Sequence, residues 1–351
     1  MKYLLTLFLL STILFFSCQQ KKTEEEQKTT GEVTSTFDSS ALPTTNIGID
    51  STKSFFLKYN FKPGESFKYR MTVISKNEQS IQTDTIMAAK LDQRLIYIMN
   101  FKTESLDKDS IAELVCTFTS INLKANVNGQ EITYQSDSGI DSTEKTKFAE
   151  YEAFLNNPFN IRVGKQGELI EIYKTDKIMN RFLSIRGLED SLNAQDKVLF
   201  KEDMSNRSIK PLLVQIFREV PEHQLAKDST WSYKRESMPV LVFKIDYTNV
   251  YKIDKLEMLG DEMIAVVDGM VKTNITGDQT YSERGVNYKF DKPVTSASGK
   301  IYINLDKGLI QKSRTETRME TTYKMEMPTP QGTKKGSARE FSSTTNVLEL
   351  L

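Results

Sequence analysis

The sequence predicts an α+β protein in which two long-stranded antiparallel β-meanders flank a helical segment. Apolar and polar residues alternate over long stretches in both halves of the chain, which is typical of half-buried strands. Between residues 141 and 220 the apolar residues recur instead at helical spacing. We expect the two meanders to form a curved sheet or half-barrel, and their similarity raises the hypothesis of a duplication.

The start of the chain has the composition of a cleaved export signal. Met1 and Lys2 give a positive start, and residues 3–16 are uncharged and overwhelmingly apolar. A helix that spans a bilayer takes about 20 apolar residues, so this run is too short for a permanent anchor. We therefore predict a signal peptide over residues 1–17.

Ser17-Cys18 ends the apolar run and resembles a bacterial lipobox, although Phe15 and Phe16 depart from its usual leucine and small residue. In lipoproteins of this kind the cysteine sulfur carries a diacylglycerol, so the resemblance implies lipidation of Cys18. The implied location is the cell envelope, with the outer membrane favoured and the leaflet left open. The alternative is a plain secretory signal in which Cys18 is incidental.

Residues 18–52 are predicted to comprise the lipidated Cys18 and a disordered tether. The tether would hold the folded part near the membrane. This segment is rich in Thr, Ser, Lys and Glu and buries too little apolar surface to offset the entropy cost of ordering. The folded part then comprises residues 53–222, the N-terminal meander with the helical segment, and residues 223–351. The second region is the C-terminal meander, which we expect to pack with the first as one unit.

Strands of the N-terminal meander are predicted from Phe67 onwards and over residues 94–101 and 112–123. Asn128-Gly129 predicts a hairpin, because both residues accept a positive φ. In the C-terminal meander, strands are predicted over the ranges 242–258, 263–275 and 300–305 and in a long run after Gly308.

Four helices are predicted in the middle. Asp141 and Glu144 have the spacing of a capping box at the first, and Asp176 and Gly187 bound the second. The other two are predicted over residues 193–204 and 209–220, the latter closed by Pro221.

The two halves contain similar segments. Residues 109–115 resemble 261–267, and residues 159–172 around Gly167 resemble 300–313 around Gly308. These correspondences favour a duplicated meander with inserted helices, although two strand-rich segments also share such patterns by chance.

The order of features along the chain resembles that of a family of uncharacterised Bacteroidota lipoproteins. The features are an anchored cysteine, a polar tether, a strand that residues 59–69 introduce, a helical middle, and strands that begin again at Asp228-Ser229-Thr230-Trp231. That family has a domain of unknown function and implies no activity. The architecture is also similar to the periplasmic lipoprotein-carrier fold, whose hydrophobic groove holds acyl chains. This second likeness concerns the fold alone.

Composition argues against several classes of function. Lys+Arg 47 balance Asp+Glu 47, so the chain lacks the basic excess that nucleic-acid binding requires. With one histidine and two cysteines, neither a catalytic residue, a metal site nor a cofactor is predicted. His223 is interpreted as a solvated loop residue and Cys116 as a small core residue. A hydrolase that uses only carboxylates stays open, because two acids on distant strands would suffice.

Two functions from different classes remain. The preferred one is the binding of a lipid or other hydrophobic ligand in a groove between sheet and helices, lined by Tyr97, Met99, Phe118 and Phe243. The alternative is a structural or protein-interaction lipoprotein of the envelope, in which those residues form a dry core.

A recurring Asp-Ser or Asp-Thr pair resembles the Bacteroidota motif for O-linked glycosylation of exported proteins. The alternative is that these pairs begin turns and cap helices. The candidate hydroxyls are Thr85, Ser110, Ser142, Ser191 and Ser229.

Overall fold

A computed structural model describes residues 42–46 and 54–351, in which sixteen strands form one antiparallel sheet. The predicted signal peptide, Cys18 and most of the predicted tether lie outside the described residues. The N-terminal strands are β1 (Thr45–Asn46), β2 (Ser66–Gln82), β3 (Ile86–Leu106), β4 (Ala112–Val127), β5 (Gln130–Gln135), β6 (Phe159–Val163) and β7 (Leu169–Tyr173). The C-terminal strands are β8 (Thr230–Lys234), β9 (Met238–Val240), β10 (Phe243–Leu259), β11 (Glu262–Gly277), β12 (Thr280–Glu283), β13 (Val286–Phe290), β14 (Val294–Asn304), β15 (Leu309–Thr329) and β16 (Gly332–Leu350).

Two meanders join side by side in this sheet, whose central order is β1-β10-β11-β14-β15-β16-β2-β3-β4-β6-β7. The last strand of the chain, β16, pairs with β2 from Ser337↔Gln82 to Leu350↔Tyr69. This pairing brings the first long strand, β2, and the last strand, β16, together at the centre of one curved, unclosed sheet. The predicted fold class, antiparallel meanders around a helical middle, is confirmed.

The segments that resemble each other in sequence occupy equivalent places in the two halves. Ala112 at the start of β4 pairs with Val163, and Ile264 at the start of β11 pairs with Asn304. The similar sequence segments align Ala112 with Ile264 and Val163 with Asn304. The same register therefore recurs in both halves, as a duplicated meander requires.

The helical middle contains α1 (Ser142–Lys147), α2 (Ala149–Phe154), α3 (Asp176–Arg186), α4 (Ala194–Met204) and α5 (Lys210–Ile216). Asp141 caps α1, since its carboxylate accepts hydrogen bonds from the N–H groups of Thr143 and Glu144. Gly187 ends α3 in the left-handed conformation that glycine favours. Both boundaries were predicted from the sequence.

Three helix boundaries differ from the prediction. The first of the four predicted helices is divided at Phe148 into α1 and α2. A π-helical turn, Ser205–Ile209, joins α4 to α5 where we expected a break. Pro211 follows this turn, and its missing N–H and bulky ring disturb the regular α-helical ladder there. The last helix ends at Ile216 instead of Val220, because Phe217 leaves the helical conformation.

One side of the sheet carries the main core, and we call it the inner face, defined by Met71 and the directly opposite Leu348. The helices cover this face near the end of the sheet where the chain enters β2. The core joins both halves of the chain, since it contains residues of β3 and β4, of α5 and of β10, β11 and β14.

The segment before β2 closes this end of the core. The N–H of Tyr59 donates to the Lys165 carbonyl at 3.1 Å, and the buried Tyr59 hydroxyl accepts from the N–H of Arg218 at 2.8 Å. The segment thereby ties the helical middle to the sheet. Its rings join a cluster, the aromatic plug, formed by Tyr59, Phe61, Phe67, Tyr69, Phe101 and Phe217.

Three short strands cover the outer edge of β10. β9, β8 and β1 pair with it in succession along its length. Protection by short strands blocks pairing with another chain. Thr45 and Asn46, which the sequence analysis assigns to the tether, therefore lie in the sheet, and the prediction of disorder through residue 52 differs from the structure at this strand.

Candidate functional site

The structure separates the four residues that we expected to line one groove. Tyr97, Met99 and Phe118 are 9%, 2% and 1% exposed in the main core. The Phe118 ring lies 5.3 Å from that of Phe154 on α2 and 6.0 Å from that of Phe159, so the space between sheet and helix is occupied by side chains.

Phe243 is buried elsewhere. Its ring meets Phe290 edge-on, with the centroids 6.5 Å apart, and Phe290 in turn packs on Tyr323 at 5.2 Å. This second apolar group lies towards the opposite end of the sheet, which we call the rim and define by the turns at residues 83–85 and 330–331. The structure therefore brings three of the four predicted residues together and leaves Phe243 apart.

Between the main core and the rim, the inner face changes from polar to apolar. Next to the core lies a polar band whose side chains include Ser75, Asn77, Ser342 and Thr344. Nearer the rim the face becomes apolar. The inner-face positions on the central strands are Ser75, Asn77, Gln79 and Ile81 on β2; Met87, Ala89, Leu91 and Gln93 on β3; Thr315, Thr317, Met319, Thr321, Tyr323, Met325 and Met327 on β15; and Lys334, Gly336, Ala338, Glu340, Ser342, Thr344 and Asn346 on β16.

Two of these inner-face positions are charged: Lys334, which is exposed at the rim and forms an ion pair of 2.8 Å with Asp84, and Glu340. Glu340 is half-buried, and the Gln79 side-chain amide donates to its carboxylate at 3.2 Å. Burial raises the pKa of Glu340 above its ordinary value, while the hydrogen bond from Gln79 acts in the opposite direction. No salt bridge to Glu340 is formed by the residues that the structure describes. A carboxyl with a raised pKa and no cationic partner is a feature of functional sites.

We expect Glu340→Gln to stabilise the protein at neutral pH. Because the folded-state pKa is raised, the folded form binds more protons than the unfolded form above the ordinary value of 4.5, and stability falls as pH rises through the folded pKa. Glutamine removes this loss and keeps an oxygen for Gln79. Thermal midpoints of both proteins at pH 7.5 and pH 4 measure the effect.

The difference between the two midpoints should be present at pH 7.5 and should close at pH 4. A variant that melts below the wild type at pH 7.5 would contradict this assignment.

A second candidate site is a cavity of about 410 Å³ beside β7, the last strand on its side of the sheet path. The whole of β7 lines one wall, and α4 with the π-helical turn lines the other. Ile170 and Val198 expose apolar surface there. Lys201 and Asp176 form an ion pair of 2.8 Å across the cavity. A free strand edge beside an apolar helix can accept an extended peptide as an added strand.

A pair of carboxylates lies on the other face of the sheet near β7. The buried Asn160 amide donates to Glu104 at 3.2 Å and to Glu113 at 3.1 Å. The Tyr173 hydroxyl also donates to Glu113 and holds the pKa of that carboxyl below its ordinary value. Burial and the same hydrogen bond raise the pKa of Tyr173 to about 12. The general acid of a hydrolase needs a carboxyl group with a raised pKa. The pKa of Glu113 is lowered, so this carboxyl does not have the property that a general acid needs.

The remaining residues singled out from the sequence lie apart from these sites. His223 is exposed in the loop before β8. Cys116 is buried on β4, and burial raises the pKa of its thiol. Within the described ranges no group of three or more His, Cys, Asp or Glu residues is placed to hold a metal ion. In the same ranges, no helix has both the length and the apolar run needed to cross a membrane.

The five candidate glycosylation hydroxyls are at turns or helix ends. Thr85, Ser110, Ser142 and Ser191 are exposed. Ser229 is half-buried, and its hydroxyl accepts a hydrogen bond from the N–H of Ala226 at 2.9 Å. Modification of all five stays a prediction, and Ser229 already has a structural role in its turn.

Sequence reasoning missed Glu340. Polar and apolar residues alternate only weakly over residues 332–346, so the sequence does not show which side chains share a face of the strand. The available signal was parity, since Glu340 is an even number of residues from the apolar Leu348 and therefore shares its face in a continuous strand.

A model of the family DUF6263, described as a family of unknown function, matches residues 109–310, which is more than half of the chain. This match confirms the prediction of an uncharacterised domain. No curated protein matches the sequence.

Several solved structures are similar to the chain in part. Lipovitellin, from a structure titled for its lipid-protein interactions, shows 11% identity over 83% of this chain and 25% of that chain, with a TM-score of 0.41. The chain thus spans a quarter of the lipovitellin chain. An outer membrane channel from Pseudomonas putida F1 shows 7% identity over 84% and 97% of the two chains, with a TM-score of 0.17. OccK5 of Pseudomonas aeruginosa shows 5% identity over 82% and 98%, with a TM-score of 0.20.

Proposed function

The chain belongs to DUF6263, a family of unknown function, and we propose that it is an exported, lipid-anchored envelope protein whose sheet binds a hydrophobic ligand with a polar end. The observation that carries the ligand proposal is the change from polar to apolar along the inner face between the main core and the rim.

The apolar side of this surface offers adaptable contacts. Met325 is half-buried, and Met327 and Met87 at the rim are exposed. Methionine side chains are flexible and polarisable, so they fit irregular apolar guests. The polar band supplies hydroxyl and amide groups for the other end of such a ligand. The proposed site thus lies further towards the rim than the groove expected from the sequence.

The anchor is proposed from the sequence alone. Each buried methylene contributes about 0.8 kcal/mol, so a diacylated Cys18 with an additional amide-linked chain would bind a bilayer almost irreversibly. The tether would then hold the sheet near the membrane, where amphiphilic molecules are concentrated.

Replacing Cys18 by serine is expected to abolish labelling with palmitate and to move the protein from the membrane pellet to the soluble fraction. The control is Cys116→Ala, which removes the only other cysteine and should leave both properties unchanged. A Cys18→Ser protein that still sediments with membranes would contradict the proposed anchor.

Protein with Cys18→Ser, purified without detergent, is expected to carry a bound amphiphile that native mass spectrometry detects as an added mass. Met325→Lys should remove most of this added mass, because it places a charge on the apolar part of the inner face. Met270→Lys is the matched control, since Met270 is 53% exposed and lies on the opposite face of β11.

Equal loss of ligand in both methionine variants, or retention in both, would overturn the proposed position of the site.

A protein-interaction function is the second candidate, and the cavity beside β7 favours it. The strand has a free outer edge, and Ile170 and Val198 are 46% and 49% exposed next to it. This function would be supported if the detergent-free protein carried no added mass while an extended peptide bound along β7.

A further inference from the structure

We propose that Glu340 and Gln79 select the polar end of the ligand, favouring a group that donates hydrogen bonds, above all an ammonium group, over a carboxylate. This inference rests on the proposed function, because it assigns a chemical class to the ligand of the same inner-face site.

The Glu340 carboxylate lies between the two parts of the inner face. Glu340 on β16 faces Gln79 on β2 and Thr321 on β15. On the core side, β16 continues along the same face with Ser342 and Thr344, and on the rim side with Ala338. Glu340 therefore lies at the boundary between the polar band and the apolar part of the inner face. An amphiphile bound along the strands would place its polar end there.

Glu340 has unused hydrogen-bonding capacity. A carboxylate has two oxygens that accept about four hydrogen bonds, and Gln79 supplies one of them. Glu320 is next to Thr321 on β15 but on the opposite face, and it shows the usual arrangement, since Arg339 donates to both its oxygens at 2.9 and 3.0 Å. Glu340 has no such cation among the described residues.

This arrangement of Glu340 carries an energetic cost. A half-buried charge without a counter-ion is unfavourable, whereas an ammonium group or hydroxyl from a ligand would satisfy the open acceptor positions. A carboxylate ligand would instead meet a like charge in a partly desolvated place. The same carboxyl thus attracts one class of ligand and excludes the other.

The apolar part of the inner face extends far enough from Glu340 to hold an alkyl chain. Met325 lies opposite Gly336, four residues along β16 from Glu340. At about 3.4 Å per residue this is roughly 14 Å, a distance that an alkyl chain can follow. Tyr323, opposite Ala338, lies between the two positions.

Three probes with one alkyl chain test the inference: dodecylamine, dodecanol and dodecanoate. Their affinities for the full chain carrying Cys18→Ser are measured by isothermal titration calorimetry at pH 7 below the micelle concentration. We expect dodecylamine to bind at least tenfold more tightly than dodecanoate. Glu340→Gln should weaken dodecylamine at least tenfold and change dodecanol by less than threefold.

Glu78→Gln is the matched control, because Glu78 lies beside Gln79 on β2 but on the opposite face. It should leave all three affinities unchanged. Circular dichroism of each variant verifies that the fold is retained.

The outcomes separate this inference from the proposed function. If dodecanol binds but dodecylamine and dodecanoate bind equally well, the role of Glu340 is wrong and the ligand site stands. If Glu340→Gln weakens all three probes equally, Glu340 is structural and the inference is overturned. If none of the probes binds, both the inference and the proposed ligand function are wrong.

Discussion

Replacing Phe217 by alanine is expected to lower the free energy of unfolding by about 3–5 kcal/mol, the usual loss for a fully buried phenylalanine. Phe217 is 2% exposed and follows α5 directly. Its ring lies 5.5 Å from that of Phe101, 6.0 Å from Tyr59 and 6.1 Å from Phe61. The variant therefore leaves a cavity in the aromatic plug, which joins the helical middle to the sheet.

Urea unfolding measures this loss, with the fluorescence of Trp231, the only tryptophan, as the probe. Phe56→Ala is the control, because Phe56 is 51% exposed and should cost no more than about 0.5 kcal/mol. Equal losses in the two variants would mean that the aromatic plug contributes little to stability.

Gly167→Ala is expected to cost about 2–5 kcal/mol, combining backbone strain with overpacking. Gly167 has a φ of +85°, and a Cβ there would lie 2.3 Å from Cε2 of Tyr59 and 2.5 Å from the Arg218 carbonyl oxygen. Neither contact can be relieved easily, since Tyr59 is buried and both its N–H and its hydroxyl are hydrogen-bonded, to Lys165 and Arg218.

Gly64→Ala separates the two contributions. Gly64 has nearly the same φ, +86°, but a Cβ there would meet nothing within 4 Å. Its replacement should therefore show the backbone strain alone, about 1–2 kcal/mol. The same urea experiment compares them, and a Gly167 variant no less stable than the Gly64 variant would contradict the close packing of the β6–β7 turn on the segment before β2.

Local sequence patterns predicted the elements well because their causes are local. Asn128 and Gly129 have φ values of +52° and +91°, as the predicted hairpin requires. The caps at Asp141 and Gly187 were found because each depends on a few neighbouring residues. The repeated segments were recognisable for the same reason, and the common register of the two halves follows from them.

Features that depend on distant partners were not predictable in this way. Thr45 and Asn46 join the sheet because β10 offers them an edge, and a strand of two residues is too short to show an alternating pattern in the sequence. Phe243 has the pattern of a core residue, but the long register of the sheet decides which of the two apolar groups it joins. Glu340 became a candidate only when the pairing of β16 with β2 and β15 had placed it on the inner face.

The most direct test of the ligand site is NMR of the Cys18→Ser protein with ¹³C-labelled methionine methyl groups, titrated with dodecanol. We expect the signals of Met325, Met327 and Met87 to shift, while those of Met99 in the main core and Met270 on the opposite face of the sheet stay in place. Shifts at Met99 with none at Met325 would place the ligand beneath the helices and contradict the inner-face site.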